Sequence, residues 1–347
     1  MEPLVSDEAA HALVVSEPFL GTSVLSRTVD LAETVVLVDG IGRAGKGMLG
    51  PILSSFERVE IERVEEIFEF VGIVYQLRKM TVDAAVMLLK TEVDRFLYNS
   101  MIARNTNIRP ADHSSVWRNA HPLRYLKRLM APEGEDVIRR VRRERPIFQT
   151  MTHDQLTNFA LFREAFGERL RVVEVIRHPV DLVYSWWKKG WGTRYGEDPT
   201  ALAFCLRYQG RDLPYYAMGW ECEYLSATPV SRIVRMIAGL WEADWRVFST
   251  LPPEQRRQVF WVPFESFIQQ PMDYVPQLAA FLGTRPSKAT PRLLRRQGCP
   301  RPDRFEDRQR KRDHILPQLT DETRAILDAL CHDYDTLVKT VSRSLTM

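Results

Sequence analysis

Cysteine is scarce: Cys205, Cys222, Cys299 and Cys331 are the four in 347 residues, and no two form a C-x-x-C pair. That pattern indicates neither a disulfide framework nor a zinc ribbon, and fits a reducing compartment. No run approaches the ~20 consecutive apolar residues of a membrane-spanning helix. The N-terminus carries Glu2, Asp7 and Glu8 with no basic lead into an apolar block, which argues against a secretory or transit peptide and makes a cytoplasmic location the expectation. A dominant charge sign is missing too, since 48 Lys and Arg face 45 Asp and Glu for a net charge of +3. Bulk charge therefore does not make the chain a polyanion binder, nucleic acid is not an expected partner, and any anion site has to be local. Internal repeats and low-complexity tracts are absent as well. What remains, 45% hydrophobic and 27% charged residues, is the balance of a globular protein.

Four short apolar or β-branched runs read as strands: Thr34 to Val38, Pro146 to Thr150, Arg171 to Ile176 and Gln258 to Phe264. Each lies near a helical stretch, and this alternation predicts an α/β fold of three layers with a central, mainly parallel sheet. Residues 1–30 read as an N-terminal extension and 31–347 as a single domain. Residues 56–145 read as a helical insertion; within it Val82, Ala85, Val86, Leu89, Val93, Phe96 and Leu97 recur at helical spacing after Thr81, a plausible N-cap. The basic stretch Arg139, Arg140, Arg142, Arg143 and Arg145 reads first as a solvated helix face. Residues 285–312, rich in Arg and Pro, read as a long surface loop.

Chemistry concentrates after the first strand. Val35 to Val38 runs into Asp39-Gly40-Ile41-Gly42-Arg43-Ala44-Gly45-Lys46-Gly47-Met48. Glycines let successive N–H groups turn inward toward an anion, and a following helix adds its positive end. The pattern G-x-x-x-x-G-K is met by Gly40, Gly45 and Lys46. Gly47 and Met48, however, stand where a nucleoside-triphosphate loop puts its hydroxyl ligand for magnesium, and Met48 cannot ligate a hard cation. The loop is suited to phosphate and poorly suited to metal.

The third strand ends in Arg177-His178-Pro179-Val180-Asp181-Leu182-Val183-Tyr184-Ser185. Pro179 suits a first helical turn and Asp181 its positive end. The planar fork of Arg177 and the hydroxyl of Ser185 suit a second phosphate. His153 follows the second strand. In a parallel sheet these three groups would share the crevice beyond the strands' carboxyl ends.

On these residues the sequence resembles the sulfotransferases that use 3′-phosphoadenosine 5′-phosphosulfate (PAPS). Arg177, Pro179, Asp181 and Ser185 match the family's R-x-P-x-D-x-x-x-S motif for the 3′-phosphate at every fixed position, and Met151-Thr152-His153 resembles its K-T-H segment without the lysine. Trp241, Trp245, Val262-Pro263-Phe264-Glu265 and Ala280-Phe281-Leu282-Gly283 extend the similarity over roughly residues 34 to 283. The resemblance implies a P-loop NTPase-like sulfotransferase fold and transfer of a sulfuryl group from PAPS to an acceptor hydroxyl or amine. It implies that Gly42, Arg43, Ala44, Gly45, Lys46, Gly47 and Met48 hold the 5′-phosphosulfate and that His153 is the base. The first loop departs from the family: with Gly45 on the family glycine, Arg43 stands at the usual catalytic lysine, and Lys46 and Gly47 stand where Ser or Thr is common. Arg43 and Lys46 are thus both candidates for the catalytic cation. The family's late R-K-G segment on the 3′-phosphate is echoed by Arg295-Arg296-Gln297-Gly298.

Sulfuryl transfer needs an in-line nucleophile, charge stabilisation and a proton acceptor, and a sulfuryl group carries less charge than a terminal phosphoryl, so protein cations can replace a metal. No metal is expected. The alternatives are a P-loop kinase for a small molecule and a noncatalytic nucleotide-binding protein. Trp186, Trp187, Trp191 and Tyr195, with Lys188 and Lys189, form an aromatic and basic stretch able to stack a sugar or planar ring.

Overall fold

The computed structural model describes residues 24–345 except 113 and 304, with side chains to Val341. The first 23 residues of the expected extension lie outside the described residues. Five parallel strands form one sheet in the order β2-β3-β1-β4-β7, where β1 is Val35–Asp39, β2 Arg63–Val64, β3 Phe148–Met151, β4 Leu170–Ile176 and β7 Val259–Pro263. The four strands expected from the sequence are β1, β3, β4 and β7, each within two residues of its expected ends. A separate antiparallel hairpin pairs β5, Cys205–Tyr208, with β6, Arg211–Pro214.

Alternation along the central strands makes the three layers. Val36 and Val38 of β1 and Val173 and Val175 of β4 join one core with Leu49, Ile52, Val183, Ile233 and Ile237. Val35, Leu37, Leu170 and Val172 join a second with Leu89, Phe96, Phe159 and Phe162. Strands buried on both faces read as continuous apolar runs, which is why these were visible in the sequence.

Between β1 and β3 the chain forms helices Lys46–Leu53, Ile67–Gln76, Val82–Met101, Pro122–Arg128 and Glu135–Glu144, interrupted by the edge strand β2. Two residues carry no periodicity, so β2 had no signature. Thr81 stands at the N-cap of Val82–Met101 with extended backbone, φ −73° and ψ 155°. Glu60 ties these helices together. Its carboxylate takes Arg128 Nη1 at 2.5 Å, Arg124 Nη2 at 2.9 Å, Ser100 Oγ at 2.9 Å and Tyr125 Oη at 3.2 Å. Burial pushes this carboxyl up, but the two guanidinium groups overcome burial and hold it at about 2.

The stretch 285–312 is not the long loop expected. It contains helix Thr290–Arg296 and most of helix Phe305–Ile315. The second has almost no apolar stripe because it docks through charge: Arg308 Nε donates to Asp181 Oδ2 at 2.9 Å and Lys311 Nζ to Asp181 Oδ1 at 2.6 Å. Asp181 therefore serves this helix as well as the start of helix Pro179–Lys188. In the basic stretch before β3, Arg139 pairs with Asp136, Arg143 with Glu144 and Arg145 with Glu33, while Arg140 donates to the carbonyl of Met101. None of the described helices is long and apolar enough to cross a membrane.

Candidate active site

Because β1, β3 and β4 are parallel neighbours, their carboxyl ends lie along one edge, and the groups that follow them converge there. The loop after β1 turns at Gly40, with φ +129°, and Gly45, with φ +114°. A Cβ on Gly40 would stand 2.2 Å from the carbonyl oxygen of Val175, and one on Gly45 2.3 Å from the ring of Phe264. Both positions combine a left-handed backbone with close approach, which glycine alone meets without strain. Helix Lys46–Leu53 begins directly after Gly45, and its first N–H groups have no acceptor within the helix.

Two remote segments close on this loop. Arg43 Nε donates to Ser185 Oγ at 3.1 Å across 142 residues of sequence, and Arg177 Nη1 donates to the carbonyl of Arg43 at 2.9 Å. Trp186 Nε1 pins the loop from behind on the carbonyl of Gly42 at 2.7 Å. The Arg177 guanidinium lies over Phe264, 4.9 Å from the ring centroid, and its Nε is buried with no hydrogen-bond partner among the described residues. Arg43, Arg177 and Ser185 are thus brought together.

The two cations of the loop part company. Arg43 is exposed, whereas Lys46 is buried and its Nζ donates to the carbonyls of Gly40 and, at 3.3 Å, Ile41. Lys46 is therefore turned beneath the loop instead of presented on its open face. Near it Glu62, Asp154, Glu174 and Asp244 are all buried. Burial pushes Glu62 up to about 8 against the pull of Lys46, and raises Asp154, Glu174 and Asp244 well above the usual carboxylate range. Hydrogen bonds to the Gly40 and Ile41 carbonyls hold Lys46 inward, and from there its charge pulls on all four carboxyls.

Met48 Sδ lies 3.7 Å from Cys299 Sγ and 4.0 Å from Arg301 Nη2. Arg301 also faces Phe264, at 5.8 Å from the centroid, so it shares that ring with Arg177. Of the two arginines expected at the 3′-phosphate, Arg295 is exposed on the last turn of its helix and Arg296 Nη1 donates to the carbonyl of Trp117 at 3.1 Å. The structure thus puts Arg301, five residues beyond Arg296, on the ring that carries Arg177. Its signal in the sequence was only that it follows Gly298 and the Cys299-Pro300 turn.

His153 sits in the turn after β3, and Asp39 at the end of β1 holds that turn. Asp39 Oδ1 accepts from Thr152 Oγ1 at 2.9 Å, and Oδ2 accepts from the backbone N–H groups of Gln155 and Leu156, each at 2.7 Å. His153 Nδ1 lies 2.7 Å from Glu69 Oε1. With the proton on Nδ1 donated to Glu69, Nε2 is left as the acceptor. Nothing in the sequence marks Glu69, whose contact with His153 spans 84 residues.

Beside His153 opens a cavity of about 220 Å³ that reaches Gly42 of the loop and is walled by Phe70, Trp186, Trp191, Tyr195, Tyr215 and Tyr216. The hairpin β5–β6 delivers the last two, since Tyr215 follows β6 directly. Trp187, by contrast, packs against His314 with ring centroids 4.5 Å apart and planes tilted by 56°, and Lys188 Nζ lies over Trp187 at 5.9 Å. The aromatic and basic stretch is thus split between cavity and packing. No group of three or more His, Cys, Asp or Glu side chains arranged to hold a metal ion occurs among the described residues.

The model of the sulfotransferase domain matches residues 91–297, more than half of the chain, and the protein belongs to the sulfotransferase family. The matched span contains His153, Arg177, Ser185, Arg295 and Arg296 and begins after the glycine-rich loop. No curated protein matches the chain. Among solved structures it is similar to the sulfotransferase domain of the olefin synthase of Synechococcus PCC 7002, at 10% identity and TM-score 0.44 over 90% of this chain and 98% of that one. The sulfotransferase domain of the curacin biosynthetic pathway gives 12% and 0.46 over 87% and 98%. A sulfotransferase of Alicyclobacillus acidocaldarius gives 15% and 0.36 over 86% and 95%.

Proposed function

We propose that this sulfotransferase moves the sulfuryl group of PAPS to a hydroxyl or amine of a small acceptor bound in the cavity beside His153. The observation that carries the reading is the closure of two distant segments on one loop: Arg43 meets Ser185, Arg177 meets the Arg43 carbonyl, and His153 faces the cavity that begins at Gly42. The residues fit the donor. Arg177 has a buried Nε without a partner among the described residues, helix Lys46–Leu53 starts at the loop with its first N–H groups lacking intrahelical acceptors, and Phe264 offers an apolar ring near the cations.

PAPS supplies an activated sulfur–oxygen bond to its 5′-phosphate. Arg177 and Ser185 hold the 3′-phosphate, which distinguishes PAPS from ordinary adenine nucleotides. Arg43, with the N–H groups of Gly45, Lys46 and Gly47, faces the 5′-phosphosulfate and stabilises the charge that gathers on the leaving oxygen. Lys46 shapes the loop from below. His153 Nε2 takes the proton that an acceptor hydroxyl loses as its oxygen bonds to sulfur and the old sulfur–oxygen bond breaks toward the departing nucleotide, 3′-phosphoadenosine 5′-phosphate (PAP). Glu69 keeps the ring in the tautomer that leaves Nε2 open.

The kinase alternative requires a metal-binding hydroxyl at the start of helix Lys46–Leu53. Gly47 and Met48 occupy those places, and the Met48 thioether faces Cys299. Titration calorimetry with PAP should give the same affinity in chelator and in magnesium. Binding that vanished in chelator and returned with magnesium would overturn the reading.

A further inference from the structure

The walls of the cavity beside His153 are largely aromatic, and its charged side chains are carboxyls apart from His153. Trp186 and Trp191 meet edge to face at 4.9 Å, Tyr195 and Tyr216 at 5.9 Å, and Tyr215 lies 4.2 Å from Tyr216. The ionisable side chains on its lining besides the tyrosines are Glu69, His153 and Asp154, with no lysine or arginine among the described residues there. Glu69 is engaged by His153. Asp154 is different: it is 3% exposed, and its Oδ1 is buried with no hydrogen-bond partner among the described residues. A buried carboxyl oxygen left without a donor is costly unless a ligand supplies one. Anionic acceptors would meet no countercharge in this pocket, whereas an ammonium would meet both a carboxyl and ring faces, which attract cations.

Taking the cavity as the acceptor site of the function proposed above, we infer that the acceptor is a single-ring hydroxyl compound carrying a cationic amine, held by Asp154 and the aromatic walls. Size agrees with one ring, because about 150 Å³ suffices for benzene and the cavity offers about 220 Å³. Burial, reinforced by Asp39 and Glu69, raises the Asp154 carboxyl well above its usual range against the pull of Lys46. An ammonium beside it favours the ionised form and forms a charge-assisted hydrogen bond.

The experiment is calorimetry on the full chain, with and without PAP, using three probes of similar shape: tyramine, 4-ethylphenol and 4-hydroxyphenylacetate. Tyramine should bind about tenfold to a hundredfold more tightly than 4-ethylphenol, the range of a hydrogen bond to a charged group, and the carboxylate should bind most weakly. Asp154→Asn keeps the shape, and asparagine tolerates the left-handed backbone at this position, φ +58°; it should remove most of the amine's advantage over 4-ethylphenol. A carboxylate that equals the amine, an amine that does not bind, or an advantage that survives Asp154→Asn would overturn the inference. If the variant does not fold, the wild-type ranking decides alone. PAP affinity, read on the same samples, separates the two ideas: lost PAP binding with the ranking intact strikes the donor assignment, and intact PAP binding with the ranking inverted strikes this one.

Discussion

Alanine at His153 should lower kcat by roughly 10²–10⁴-fold, the usual contribution of a general base, while leaving PAP affinity at the wild-type level. The split follows from the geometry. His153 lies on the turn anchored by Asp39 and faces the aromatic cavity, whereas the proposed donor contacts come from Arg43, Arg177 and Ser185. A purely structural histidine gives the opposite pattern, with a lower melting temperature and near-normal turnover in the folded fraction. His153 bonds to Glu69 and is one-third exposed, so its loss removes one hydrogen bond and little packing. Measuring kcat, PAP affinity and melting temperature on the same variant separates the roles, and near-normal turnover in a well-folded protein would remove His153 from the chemistry.

Arg177→Ala should weaken PAP binding by about ten- to a hundredfold, since a charge-assisted phosphate contact contributes about 1.5–3 kcal/mol. Adenosine 5′-phosphosulfate, which lacks the 3′-phosphate, should bind the variant almost as well as the wild type. The difference between the two ligands is the informative quantity, because Arg177 also donates to the Arg43 carbonyl and covers Phe264. General damage to the loop would weaken both ligands alike. Equal losses in calorimetry would mean that Arg177 supports the loop and does not read the 3′-phosphate.

Where the determinants are local, the sequence was readable. β1, β4 and β7 are short, mostly apolar runs and β3 is the largely buried segment Phe148-Gln149-Thr150-Met151, and each functional segment directly follows β1, β3 or β4. The sequence alone therefore sets the glycine-rich loop, the Arg177 to Ser185 motif and His153 along one edge. What escaped depends on contacts between distant segments. Glu69 reaches His153 from helix Ile67–Gln76, and Arg301 reaches Phe264 from beyond the helix that bears Arg295 and Arg296. The inward turn of Lys46, onto the carbonyls of Gly40 and Ile41 and near buried carboxyls from four places in the chain, has no local signature. Helix Phe305–Ile315 was hidden because periodicity reports apolar docking, and this helix docks through Arg308 and Lys311 on Asp181.

The most direct measurement is a thermal-shift comparison of PAP, adenosine 5′-phosphosulfate and ATP with magnesium at equal concentrations, because a ligand stabilises the native state according to its affinity. A PAPS-dependent enzyme with Arg177 and Ser185 on the 3′-phosphate should be stabilised most by PAP, less by adenosine 5′-phosphosulfate and least by ATP with magnesium. Stabilisation by ATP with magnesium and none by PAP would contradict the donor assignment and return the loop to a kinase role.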